Sequence, residues 1–342
     1  MMKLAIHHRM GSFSNRWIAY CEQNHIEYRI VNAYANDIIQ QVEGCDCFMW
    51  HFHQGDYRDM QFAKSLILSL EAQGVTCFPD SHTCWHFDDK IAQKYLLESI
   101  GAPLVPSYVF YTKKEALDWV ECASFPKVFK LKGGAGSANV KLAKTQKEAI
   151  ELINQCFGKG FAQYRWQDQL QENYNKFKEN KRTFRDVLRP VKYAFRKYPT
   201  EFAHYHQNEI GYAYFQDFVD GNNHDTRVVI VGCTRAMAEI RYVREGDFRA
   251  SGSGNFEYGK VDENILKIAF DVADKLKMQT VAFDFILSNG KPKIIEISYG
   301  FGTHGIRHSG GYWSRDLQWH EDNELDFSSW IIENLLKECE TK

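Results

Sequence analysis

Two apolar segments, Val281–Leu287 and Lys293–Ser298, flank the dipeptide Asn289-Gly290, and no other stretch limits the fold so tightly. Asn-Gly tolerates the positive φ angles of a tight β-turn, so the pair reads as a β-hairpin. Asp284 is the only charged residue of the first strand, and the second is apolar around Glu296. A lone carboxylate in such a strand is costly, so each needs a cation or several donors. With the turn symmetric about Gly290, Asp284 faces Glu296 on one side of the hairpin, Cβ atoms roughly 5 Å apart. Like charges so placed repel unless something positive sits between them. Hard oxygen ligands at that spacing suit Mg²⁺, which completes its shell with water and phosphate oxygens. The alternative is a pair of structural ion pairs, to Arg241 for instance.

A second constrained stretch is 125–140, where a lysine-bearing strand runs into a glycine-rich turn. From Val128 to Lys132 the residues alternate, so Val128, Lys130 and Lys132 share one face while Phe129 and Leu131 take the other. Gly133, Gly134 and Gly136 leave backbone N–H groups free to close over an anion. No Gly-Lys-Ser/Thr follows and no helix starts here, so this is a hairpin tip rather than a P-loop. An amphipathic strand ending in a flexible turn would look the same.

The first 85 residues alternate short strands with helices, which implies parallel pairing in a small three-layer α/β domain. Ligands of such sheets gather beyond the carboxyl ends of the strands. His7, His8, Arg9 and Gly11 follow the first strand there, and His51, His53, Asp56 and Arg58 follow the third, an expected acceptor surface. Residues 86–215 form an expected central lobe with a basic insertion at about 165–205, and residues 216–342 a C-terminal lobe carrying the hairpin. The net charge of −2 gives no basic excess to recruit nucleic acid or anionic membrane. No run of 18 apolar residues and no secretion signal is present, so a cytoplasmic location is expected, and nine scattered cysteines fit reduced thiols. Cys77, His82, Cys84 and His86 cluster, but their spacing matches no closed zinc motif.

With lysines and a phosphate-cradling turn upstream and a carboxylate hairpin downstream, the chain resembles the ATP-grasp superfamily, especially the carboxylate:amine ligases related to glutathione synthetase and D-alanine:D-alanine ligase. The resemblance covers about residues 75–315 and implies a mixed α/β and α+β fold: an N-terminal parallel α/β (pre-ATP-grasp) domain and two lobes enclosing the nucleotide. It implies Lys90, Lys130 and Lys132 near the ATP phosphates, with Gly133, Gly134, Ala135, Gly136 and Ser137 as the loop over them. Gln216, Asp217, Phe218 and Val219 resemble the hinge that pairs with adenine, and Asp225 the acidic position near the ribose. Arg241 and Arg249 resemble the arginines that stabilise transferred phosphate, which with Lys130 makes them the expected catalytic residues. Asp284 and Glu296 match the metal carboxylates, while Ser298 stands where the family usually has Asn, leaving one or two Mg²⁺ ions open.

The activity so implied is ATP-dependent joining of a small-molecule carboxylate to an amine through an acyl-phosphate, releasing ADP and phosphate. An ATP-grasp kinase acting on a hydroxyl and an inactive ATP-binding regulator are the alternatives. His7, Arg9, His51, Arg58, His304, Arg307 and His308 are the expected acceptor-binding residues, suited to an anionic acid. Self-association stays open.

Overall fold

The computed structural model describes residues 2–134, 139–162, 170, 173–174, 177, 183–193, 204–205, 208–243, 248–250, 255–259 and 261–341. The chain divides into two compact units, one of residues 1–53, 58–105 and 219–342, the other of 54–57 and 106–218. The N-terminal α/β segment thus shares a unit with the carboxylate hairpin.

That segment is a four-stranded parallel sheet, β1 (Lys3–His7), β2 (Glu27–Val31), β3 (Cys47–Met49) and β4 (Thr76–Phe78), in the order β2-β1-β3-β4. Helices α1 (Ser14–Gln23), α2 (Ile38–Val42) and α3 (Tyr57–Ala72) connect the strands, as the alternating pattern predicts. The order changes direction between β1 and β3, the switch point at which such sheets open a crevice. After α4 (Ser81–Cys84), Asp89 caps α5 (Lys90–Ser99) by accepting from the N–H groups of Ile91 and Ala92, which fixes Lys90 in the first helical turn. The helix stops before Gly101, whose φ is +67°.

The smaller unit holds β5 (Ser107–Phe110), α6 (Lys113–Cys122), β6 (Lys127–Phe129), β7 (Lys141–Ala143), α7 (Gln146–Cys156), α8 (Phe184–Leu188) and β8 (Ala213–Asp217). Its sheet runs β5-β8-β6-β7, all antiparallel, so the lysine strand and its return strand do form a hairpin. Phe129, Leu131 and Phe215 are buried against Ala116, Val120 and Ile153 of α6 and α7.

The larger sheet runs β13-β12-β9-β10-β14-β15, from β9 (His224–Val231), β10 (Arg235–Tyr242), β12 (Thr280–Ser288), β13 (Lys291–Ser298), β14 (Gly311–Ser314) and β15 (Trp319–Glu321), with β11 (Phe256–Glu257) paired to β10. One face, including Val228, Ile230, Ala238, Phe283 and Phe285, packs on the amphipathic helix α9 (Glu263–Leu276) through Leu266, Ala269 and Phe270. The other carries Val229, Val231, Met237 and Ala282 into a core shared with Leu4, Ile6 and Trp17 of the first segment and Ile331 and Leu335 of α11 (Phe327–Glu340). That shared core is why the first 53 residues merge with the C-terminal half.

Two features were not legible in the sequence. Cys47 of β3 and Cys339 of α11 form a disulfide where reduced thiols were expected, because α11 packs onto the same core as β3; the other seven cysteines are free. Residues 303–306, in a glycine-rich stretch with no helical pattern, form a short helix, α10 (Thr303–Ile306). No helix among the described residues is long and apolar enough to cross a membrane.

Candidate nucleotide and metal site

The carboxylate hairpin closes through Asn289 (φ +50°) and Gly290 (φ +72°), both in the left-handed region that a two-residue turn needs. The closing pair is Ser288 and Lys291, a register that, continued, would set Asp284 opposite Ile295. A β-bulge between Asp284 and Phe285 absorbs Ile295, and Asp284 pairs with Glu296. The expected facing pair is present, produced by a bulge rather than by a turn symmetric about Gly290.

The register extends across four strands. Glu296 pairs with Asp284, Asp284 with Arg227, and Arg227 with Glu239. Two residue pairs further along, Arg241 faces Asp225. Arg227 donates to both Asp284 oxygens, from Nε at 2.8 Å and Nη2 at 2.9 Å. Arg241 reaches Asp284 Oδ2 at 2.8 Å and holds Asp225 through Nε and Nη2 at 2.6 and 2.7 Å. At the hairpin edge, Lys90 Nζ lies 3.2 Å from Glu296 Oε1. Among the described residues, four carboxylates (Asp225, Glu239, Asp284, Glu296) and three cations (Lys90, Arg227, Arg241) thus gather here, with charge left over for a further cation.

Burial opposes ionisation of Asp284, yet Arg227 and Arg241 hold its carboxyl well below the usual range. Burial raises Asp225 against the pull of Arg241, and Asp284 and Asp225 keep the buried Arg241 firmly charged. Burial would discharge Lys90, but Glu296 and the neighbouring Asp88 and Asp89 outweigh it and raise its pKa. Burial also raises Glu239, with Arg227 and Arg241 opposing. Ser298 donates its hydroxyl proton to Gly300 O at 2.5 Å, so its oxygen lone pairs remain available. Glu296 is partly exposed, and only one of its oxygens is in an ion pair. Glu296, Asp284 and the Ser298 hydroxyl supply hard oxygens from adjacent strands, and the donor set fits Mg²⁺.

In the smaller unit, Lys130 is buried and its Nζ donates to Gln216 Oε1 at 2.6 Å, while Gln216 Nε2 donates to Ser107 Oγ at 3.0 Å. Lys127 pairs with Asp217 at 2.5 Å. The strand ends at Phe129, three residues before the expected alternation does, and Lys132 is exposed where Lys130 is buried. Lys132 N–H donates to the Tyr212 hydroxyl at 2.7 Å. The Asp217 N–H donates to Pro106 O at 2.9 Å, so in this hinge stretch one expected adenine donor is already engaged. Phe218 and Val219 follow in partly exposed backbone. Gly133 and Gly134 are described, whereas Ala135, Gly136 and Ser137 lie outside the described residues, as does most of 165–205. Arg249 is half-buried.

The expected acceptor residues fall into two kinds. His7 and His51 are buried, and burial lowers both, His51 to about 3. Ala33 N–H donates to His7 Nδ1 at 3.0 Å, and Phe13 N–H to His51 Nδ1 at 3.3 Å, with Phe13 stacked on the His51 ring at 3.7 Å. Neither is the cation that an anionic acid would need; both are neutral packing residues. Arg9 is partly exposed, 3.6 Å from Asp59 and within 3.3 Å of His51 O. Arg58 lies 4.1 Å over the Tyr34 ring, Arg307 5.9 Å from the Phe327 ring, and His308 6.2 Å from Tyr258. His304 is in α10, with its side chain outside the described set. Cys77 and Cys84 sit in apolar core, and no group of three or more metal-ligating side chains is found among the described residues.

Sequence reasoning passed over Arg227 and Glu239. Their signal was a polar residue at every second position of two otherwise apolar strands, Asp225 and Arg227 in β9, Glu239 and Arg241 in β10.

Residues 205–312 match the family model described as the RimK-like ATP-grasp domain, a span containing the whole charged row. No curated protein sequence matches the chain. The structure superposes on D-alanine–D-alanine ligase of Bacillus anthracis with a TM-score of 0.60 at 15% identity, covering 100% of this chain and 99% of the other. An ATP-grasp RimK domain protein of Sphaerobacter thermophilus gives 0.57 at 11%, covering 98% and 99%. PsnB, an ATP-grasp ligase solved with its precursor peptide PsnA2 and AMPPNP, gives 0.55 at 9%, covering 99% and 98%. The chain has the ATP-grasp fold, and its residues 205–312 are similar to the RimK-like ATP-grasp domain.

Proposed function

We propose that this protein is an ATP-dependent ligase that joins a carboxylate to an amine through an acyl-phosphate, releasing ADP and phosphate. The observation that carries the reading is the row Glu296–Asp284–Arg227, built across three strands in a fold shared with D-alanine–D-alanine ligase. A purely structural role would more simply be met by apolar residues, which replace buried ion pairs without loss of stability.

In this reading Lys130, Lys90 and the 133–137 stretch, with Lys132 beside it, neutralise the ATP phosphates. Gln216 holds Lys130 in place through its side-chain amide, while Val219 and the rest of the hinge meet the adenine. Asp284, Glu296 and the Ser298 hydroxyl would hold Mg²⁺, which when bound supplies charge neutralisation at the phosphate oxygens. Arg241 has both its Nε and Nη2 committed to Asp225 and Asp284, so it acts by positioning Asp284, as does Arg227. That leaves Arg249 as the arginine for the transferred phosphate. The protein's contribution is orientation and electrostatic stabilisation more than covalent chemistry. The substrates are small molecules, and the setting is the cytoplasm.

The test crosses a panel of acids with amines and follows ADP release, then product mass. An amide or hydroxamate mass with ADP supports the ligase. A stable phosphoester would instead establish a kinase, and tight MgATP binding without turnover a regulator. Lys130→Ala and Glu296→Gln should each lower turnover by about 10²- to 10³-fold. Wild-type ADP release from both variants would refute the assignment.

A further inference from the structure

Glu239 is the anomaly of the charged row. It is 4% exposed, and its Oε2 is buried with no hydrogen-bond partner. Arg227, directly opposite, turns its Nε–Nη2 edge to Asp284 on the far side and leaves Glu239 without a donor. Two residues back on the same strand face stands Met237, wholly apolar, so the fold itself does not call for a carboxylate here. A buried carboxylate oxygen with no hydrogen bond is retained at a cost in stability even with Arg227 and Arg241 nearby.

The surroundings show what it faces. Gly305 of α10 covers the oxygen, and a Cβ on Gly305 would lie 2.0 Å from Oε2. A side chain there would have to push the end of the Glu239 side chain aside. The Tyr258 hydroxyl has its pKa raised by burial and, less, by the Glu239 charge. Glu239 is two strand spacings, about 10 Å, from Asp284 on the same face. A metal would require several oxygens around it, and Asp284, across the strands, is too far off to share one with Glu239. A protonated amine needs only a few acceptors, with one anion among them.

We propose that Glu239 is the binding carboxylate for the protonated amine substrate, its Oε2 accepting from the ammonium once α10 shifts from above it. This rests on the ligase reading and adds to it the charge state in which the amine is captured.

The test uses the full chain, wild type, Glu239→Gln and Gly305→Ala, with a panel of acids, ATP and Mg²⁺, and two nucleophiles at neutral pH. Ethylamine is protonated there and hydroxylamine is not. Glu239→Gln should lower the ratio of amide to hydroxamate product by about 10- to 100-fold, the worth of one charge-assisted hydrogen bond. It should also raise Tm by about 2 °C or more, since it removes a buried charge with an oxygen that has no hydrogen bond. Gly305→Ala, which thrusts a methyl group at the same oxygen, should lower the ratio too. An unchanged ratio in Glu239→Gln overturns the proposal whatever happens to Tm. If wild type makes neither product with any acid, the ligase reading fails instead. Glu239 is then judged by the Tm increment that ethylammonium chloride gives over sodium chloride. Loss of that increment in Glu239→Gln supports an ammonium site, and equal increments or none overturn it.

Discussion

The same face of the same three strands is built in two ways. At one end, β9, β10 and β12 present Val229, Val231, Met237 and Ala282 to a core shared with α1 and α11. At the other, a few residues along, they present Asp225, Arg227, Glu239, Arg241 and Asp284. Backbone geometry and register are continuous, so strand formation does not explain the change. The opposite face is apolar from Ala236 and Ile230 to Phe285 except at Thr226. A sheet that needs only to fold would continue the apolar pattern on both faces. On the proposed ligase reading, the switch to paired charge is where the molecule meets MgATP.

Breaking the charged end should cost most. Arg241→Met strands Asp225 and removes one of two cations from Asp284, and should lower unfolding free energy by about 3–5 kcal/mol in urea denaturation. A loss below about 1 kcal/mol would mean that the network is hydrated and its burial is not felt.

Acid separates buried groups without charged partners from the charged end. Burial lowers His51 and His86 to about 3 from 6.5, and both nitrogens of His86 lack partners. The unfolded chain then binds more protons than the native one between about pH 6.5 and 3, so stability falls as pH drops through that window. Asp284 is depressed from 3.8, and its contribution is lost only as pH falls below that value. Replacing both histidines by Phe should therefore flatten Tm against pH from about 6.5 to 4, a span worth a few kcal/mol. An unaltered slope would show that the two rings are not buried neutral.

Smaller effects sharpen the contrast. Met237→Leu, at the apolar end, should cost less than about 1.5 kcal/mol because shape and volume are nearly kept. Lys90→Met should cost only about 1 kcal/mol, since Glu296 stays partly hydrated when its partner goes. If Lys90→Met destabilised as much as Arg241→Met, the pair would be a structural bridge and not a site poised for a ligand.

Much of this was legible in the sequence where local rules dominate. The strand–helix alternation gave the parallel sheet, Asn289-Gly290 the hairpin, and the isolated Asp284 and Glu296 their place as neighbours on it, though the facing register came from the bulge. The bulge at Ile295 was not legible, because nothing local marks a bulge when the residues on both sides are β-branched and apolar. Arg227 and Glu239 escaped for a related reason. β9 and β10 join through a three-residue turn centred on Cys233, and which residues face each other depends on that turn's length, which no local signal sets. His7 and His51 looked like cations from their place after strand ends. Burial, which depends on how Phe13 and Trp50 pack around them, makes them neutral.

The central claim is that the charged end is a site for MgATP. It is tested most directly by titrating ATP, with and without Mg²⁺, into wild type and Glu296→Gln by calorimetry. The account predicts Mg²⁺-dependent binding by wild type and about tenfold or greater weakening in Glu296→Gln, with Tm unchanged within about 2 °C. Equal affinity in the two proteins, or none in either, would contradict it.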